Sequence, residues 1–154
     1  MPTENILVFR LRQEWYALPV GHVREVLHVP SIVPLPKAPP SIRGVFQHRG
    51  RTLPVVDLAK HLGLPATEPG PETRIIIARL PKTLAGLLVD GVEEVLETDD
   101  HGFSKPIEGA LRMPYIAGIA NIKDRMTFLL DLPTLFSDEA GLVDPARTAG
   151  EGIS

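Results

Sequence analysis

The sequence predicts an all-β protein: two pseudo-repeated, five-stranded closed barrels packed side by side, with only short helices. Three observations predict it. The apolar positions repeat internally, the apolar runs are short and bounded by turn residues, and no amphipathic helix of useful length separates them. Ile6–Leu27 aligns with Ile75–Leu96, and Ile42–Leu58 with Ile116–Leu132. Identities include Leu18/Leu87, Val23/Val92, Glu25-Val26-Leu27/Glu94-Val95-Leu96, Gly44/Gly118 and Asp57-Leu58/Asp131-Leu132. Most shared positions are apolar, so the duplicated object is a core.

In the first copy, strands are expected near Asn5–Leu11, Trp15–Pro19, Val23–His28, Gly44–Gln47 and Thr52–Asp57. Their counterparts are Arg74–Leu80, Ala85–Val89, Val92–Glu97, Ala117–Ile122 and Met126–Asp131. Five strands per copy suit a small closed barrel, which removes exposed edges. Asp57 and Asp131 each precede a short helical pattern, where a carboxylate caps free backbone N–H groups. Capping is a stronger reading than catalysis for both. Pro65–Glu72 is a proline-rich, acidic linker between the copies, and Gly102–Met113 is an irregular stretch.

Composition narrows the function. The chain has 154 residues, 44% of them hydrophobic and none of them cysteine, which excludes disulfides and thiolate zinc sites. Its apolar stretches fall far short of the ~20 residues a membrane span needs. The opening residues show no basic start followed by an apolar run, so no signal peptide is expected. A formal net charge of −3 leaves no basic footprint for nucleic acid.

Catalytic patterns are missing. There is no nucleophile elbow, P-loop or dinucleotide fingerprint. The histidines His22, His28, His48, His61 and His101 show no metal-ligand spacing, and each is expected at the surface or partly packed. Glu93 and Glu94 are neighbours on a strand and must face opposite ways. No catalytic, cofactor-binding or metal residue is assigned, and no cofactor is expected.

The features that are not duplicated are more informative. Gly44 and Gly118 coincide, which implies a shared backbone need such as a bulge or a close strand approach. Arg49-Gly50 fits a hairpin turn, as does Lys123-Asp124 in the second copy. Arg49 is either a plain turn charge or an arginine held out towards a partner's carboxylate or carbonyl. Val29–Pro40 is proline-dense only in the first copy, and reads as a stiff surface connection.

These residues, taken in order, resemble the CheW-like family of coupling proteins in bacterial chemosensory arrays. The resemblance is carried by Val23-Arg24-Glu25-Val26-Leu27, Pro36 with Ala38-Pro39, Ile42-Arg43-Gly44-Val45, His48-Arg49-Gly50 and Leu53–Leu58. Gly86–Val92, Tyr115–Gly118 and Leu129–Leu132 continue it, so it spans residues 5–137. It implies a single domain of two SH3-like barrels, the first roughly 15–64 and the second roughly 74–137, with the N-terminal strand able to cross between them. A flexible tail, 138–154, would follow.

The resemblance also implies a non-enzymatic, cytoplasmic adaptor recruited to membrane-associated receptor arrays. Its partners would be the cytoplasmic tip of a methyl-accepting chemoreceptor and the regulatory domain of a CheA-type histidine kinase. It points to Val23, Glu25, Val26, Arg43, Gly44, Arg49 and Gly50 as the partner-binding residues. His48 departs from the pattern, which usually has an apolar residue there. The alternatives are a regulatory adaptor in another two-component system and a small β-barrel enzyme or ligand-binding protein. Recognition through the arginine turn is expected to belong to the first barrel, and the groove between barrels to accept the receptor.

Overall fold

The computed structural model describes residues 3–99, 103–104 and 113–137. Asp100, His101, most of the irregular stretch and the expected tail lie outside the described residues. Among the described residues there are ten strands: β1 (Thr3–Leu11), β2 (Glu14–Pro19), β3 (Val23–His28), β4 (Ile42–His48), β5 (Arg51–Asp57), β6 (Arg74–Arg79), β7 (Leu84–Val89), β8 (Gly91–Asp99), β9 (Ile116–Ile122) and β10 (Arg125–Leu130). Two single-turn helices, α1 (Leu58–His61) and α2 (Leu132–Leu135), follow β5 and β10. Each begins as the sequence requires: Asp57 accepts from the Lys60 N–H and Asp131 from the Thr134 N–H, both at 3.2 Å.

The strands form two five-stranded sheets, ordered β8-β1-β2-β10-β9 and β3-β6-β7-β5-β4. This corrects the expected composition of the barrels. Neither sheet consists of one copy. The first two strands of each copy join the last three strands of the other, so bounds of 15–64 and 74–137 describe no structural unit. Each sheet is sewn by one parallel seam, β2 with β10 and β7 with β5. Parallel neighbours cannot be joined by a tight hairpin, so such a seam joins strands far apart in sequence.

Burial explains the exchange. Side chains alternate across a strand, so an apolar run without alternation marks a strand buried on both faces. On β1, Leu7, Phe9 and Leu11 enter a core shared between the sheets, whereas Ile6 and Val8 line the first sheet's own interior. On β6, Ile76 and Ala78 enter the shared core and Ile75 and Ile77 line the second interior. Tyr16 and Leu18 of β2, Leu87 and Val89 of β7, and Leu132 and Phe136 around α2 complete the shared core. Phe9 stacks on Tyr16 with ring centroids 6.0 Å apart. Burial is also the main reason the Tyr16 hydroxyl is held above its ordinary pKa, with Glu14 and Tyr115 adding to it.

The two interiors are filled differently. Phe46 packs into the second, where a Cβ on Gly86 would lie 2.9 Å from its ring. The repeat places Ala120 and Ala17 at these two positions in the first sheet. A large–small pair in one sheet thus answers two small residues in the other.

Gly44 sits at a bulge with φ of 146°, where a Cβ would run into the Val33 carbonyl. Val33 lies that close because it pairs with Val45 through two 2.8 Å backbone hydrogen bonds. Gly118 serves a parallel need, since a Cβ there would come within 2.8 Å of the Phe103 Cβ beside the Ser104–Ile119 bridge. Gly44→Val is expected to destabilise the fold by about 2–3 kcal/mol, from strain and the lost Val33 pairing. Thermal unfolding checks this: a drop of several degrees is expected, and an unchanged melting temperature would contradict it.

Candidate functional site

The charged residues singled out by the sequence divide into two groups. Glu25, His48, Arg49 and Gly50 come together where β3 faces the tip of the β4–β5 hairpin. Arg49 and Gly50 take positive φ values of 50° and 77°, the pattern of a two-residue hairpin turn. The turn holds Arg49 outward, with its side chain 74% exposed. Its guanidinium donates to Glu25 Oε1 at 3.2 Å, and His48 Nε2 lies 2.9 Å from Glu25 Oε2. Arg49 Nε is also 3.3 Å from His48 Nε2, and that nitrogen cannot donate to Glu25 and accept from Arg49 at once.

This cluster has a structural role. β3 and β4 are the terminal strands of their sheet, so contact between Glu25 and His48 closes it on itself. The other sheet is closed in the same manner. Lys123 at the tip of β9–β10 donates to Glu94 at 2.6 Å, with φ of 51° and 64° at Lys123 and Asp124. The repeat places Glu94 on Glu25 and Lys123 on Arg49. A basic turn clasping a strand carboxylate is therefore not peculiar to the Arg49 hairpin. What sets that hairpin apart is His48 and the arginine's fork of donors. Glu93 faces the other way, as strand alternation requires, and lies 3.7 Å from Arg125, which also covers the Trp15 ring at 3.7 Å.

Arg43 is placed elsewhere and used within the chain. It donates to the Thr67 carbonyl at 3.1 Å and approaches buried Asp57 at 4.0 Å, while Asp57 also accepts from the Thr67 N–H at 3.0 Å. Together they tie the linker to the start of α1. Gly44 is likewise committed to the backbone approach of Val33.

The apolar candidates lie at the margin of the shared core. Val23 is half-buried against it. Val26 is 37% exposed and stands opposite Ile76 in the ladder, so it shares the face turned to that core. Its repeat partner Val95, 58% exposed and opposite Leu7, stands at the same place on β8. The space between the sheets is thus filled, and the surface left to a partner is its rim. Val95 was not among the sequence candidates, although its alignment with Val26 carries the signal. Exposed Met126 was also missed, and nothing in its strand pattern marks it.

Features of an enzyme site are sparse. Among the described residues no three His, Asp or Glu side chains are grouped to hold a metal ion. A cavity of about 140 Å³ is lined by Arg10, Glu72, Arg74, Gly91, Val92 and Glu93, and there Arg10 is paired with Glu72 at 2.8 Å.

The hydrogen bond from Arg49, more than that from His48, holds the Glu25 carboxyl below its ordinary value of 4.5. A depressed carboxylate contributes stability above its unfolded pKa and loses it as the pH falls through the folded one. Glu25→Gln should therefore lower stability above about pH 4.5 and converge on the parent as the pH falls below the folded pKa, which flattens the acid limb. Urea midpoints of both proteins across pH 3–7 check this, and a separation that is the same at every pH would show that ionised Glu25 contributes nothing.

Residues 5–140 match the family model described as a CheW-like domain. The chain is 31% identical over 137 residues to the "Chemotaxis protein CheW" of Rhizobium meliloti, covering 88% of each. It is 31% identical over 141 residues to the "Protein PilI" of Pseudomonas aeruginosa, covering 90% of this chain and 78% of that one. The crystal structure of the scaffolding protein TtCheW from Thermoanaerobacter tengcongensis superposes with a TM-score of 0.79 at 34% identity, covering 88% of this chain and 89% of that one.

Proposed function

The chain belongs to the CheW-like family, and from that premise we propose that it is a non-enzymatic adaptor joining chemoreceptor tips to a CheA-type histidine kinase. It would work in the cytoplasm, at membrane-associated arrays. The observation that carries this reading is the exposed apolar rim at Val26 and Val95, on a chain alike over most of its length to a scaffolding protein. A row of valines beside a rigid core suits the apolar stripe of a helix, the mode in which an amphipathic segment is held by a groove.

The kinase contact falls to the Glu25–His48–Arg49 cluster. Arg49 is exposed, held by a turn and only partly used by Glu25, so its remaining donors are free for an acceptor on a partner. Arg43 and Gly44 support this surface from within by fixing the linker and the Val33 approach. Binding by a few exposed charges sets register and encounter rate more than affinity.

The test is direct binding of the purified chain to the receptor tip and to the kinase regulatory domain, at concentrations up to well above ~10 μM. Binding to both supports the adaptor, and binding to neither overturns it. Arg49→Glu should keep the circular dichroism of the parent yet weaken kinase binding by about tenfold, the scale of a lost charged contact. Loss of the β-sheet spectrum would instead make Arg49 an internal residue.

A further inference from the structure

Resting on the reading of the rim as a helix site, we infer that its two walls carry opposite charge and so read the direction in which an amphipathic helix lies. The outward positions of β3 are Arg24, Val26 and His28, all exposed. The outward positions of β8 are Glu93, Val95 and Glu97, also exposed. The repeat superposes Arg24 on Glu93, Val26 on Val95 and His28 on Glu97. The central valine is kept in both copies, while Arg24 is opposite in charge to Glu93 and a formally neutral histidine stands where the second copy has the acidic Glu97.

Both strands border the same core. Val23 and Val92 pack against it, and Val26 and Val95 stand opposite its members Ile76 and Leu7. The strands also approach each other at one end: His28 pairs with Arg74, and Arg74 lines a common cavity with Val92 and Glu93. Arg24, His28 and Glu97 form no ion pair among the described residues, and Glu93 has only the 3.7 Å approach of Arg125. These side chains, Arg24 and Glu97 with their charges and His28 with its ring nitrogens, are available to a partner.

A helix laid with its apolar stripe on the valines presents one flank to each wall. Turning it end for end exchanges the flanks. Walls of equal charge would accept both directions equally, but a basic β3 wall and an acidic β8 wall do not. The occupant that fits has an apolar stripe, carboxylates on the flank meeting Arg24 and His28, and lysines or arginines on the flank meeting Glu93 and Glu97.

The test uses three synthetic helical peptides sharing one leucine stripe: one with glutamates on one flank and lysines on the other, one with the flanks exchanged, and one with glutamine on both. Each carries a nitroxide at its N-terminus, and broadening of the protein's amide signals shows which end of β3 the label reaches. The two charged isomers should broaden opposite ends with a directional preference of about fivefold, the scale of a few exposed ion pairs. The preference should weaken as salt is raised above about 0.15 M. The glutamine peptide should broaden both ends, and the variant combining Arg24→Glu with Glu97→Lys should reverse each isomer's preferred end. Binding of all three without any preference overturns the directional inference and leaves the rim as a helix site. No broadening by any peptide removes the rim reading, and direction with it.

Discussion

Four strands buried on both faces are the constraint on which this molecule depends. β1, β2, β6 and β7 each present one row of side chains to a barrel interior and the other to the core between the sheets. Such strands have no face left for water, so they must lie where two layers enclose them. Exchange of the first two strands between copies meets that requirement. Each copy then depends on the other for a complete sheet. His61 ties them further, stacked on Phe136 at 4.5 Å with Nδ1 3.3 Å from the Ser41 hydroxyl.

With the interior fixed by duplication, differences between the copies collect at the surface and at the ends of the barrels. Each barrel is closed by a carboxylate on its outermost strand and a cation at the opposite hairpin tip, Glu25 with Arg49 and Glu94 with Lys123. The clasp is structural in both places, and a partner would meet a charge already positioned by the fold. The outward faces of β3 and β8 keep a central valine and change the charges around it. Duplication thus supplied two copies of one apolar surface, and substitution made them unlike.

Most single elements were legible in the sequence. Alternation and turn residues place all ten strands within a few residues, the aspartate caps locate both helices, and the coincidence of Gly44 with Gly118 announces a close backbone approach. The pairing of the strands was not legible. A period-2 pattern says which face of a strand is buried, but not which strand lies beside it. When two copies share the pattern, pairing within a copy and pairing between copies satisfy it equally. The same limit applies to the site: the hairpin turn at Arg49 was readable, whereas the attachment of Arg43 to Thr67 is a contact across the linker that no local pattern records. Val95 is the intermediate case, visible in the repeat but informative only once the shared core shows which way it faces.

Native-state hydrogen exchange tests the exchanged core most directly, because it reports which strands open together. If the four central strands form one cooperative unit, amides of β1, β2, β6 and β7 will share a single opening free energy equal to that of global unfolding. If residues 15–64 and 74–137 instead opened as two units of different stability, the copies would be separable, and an obligatory shared core would be contradicted.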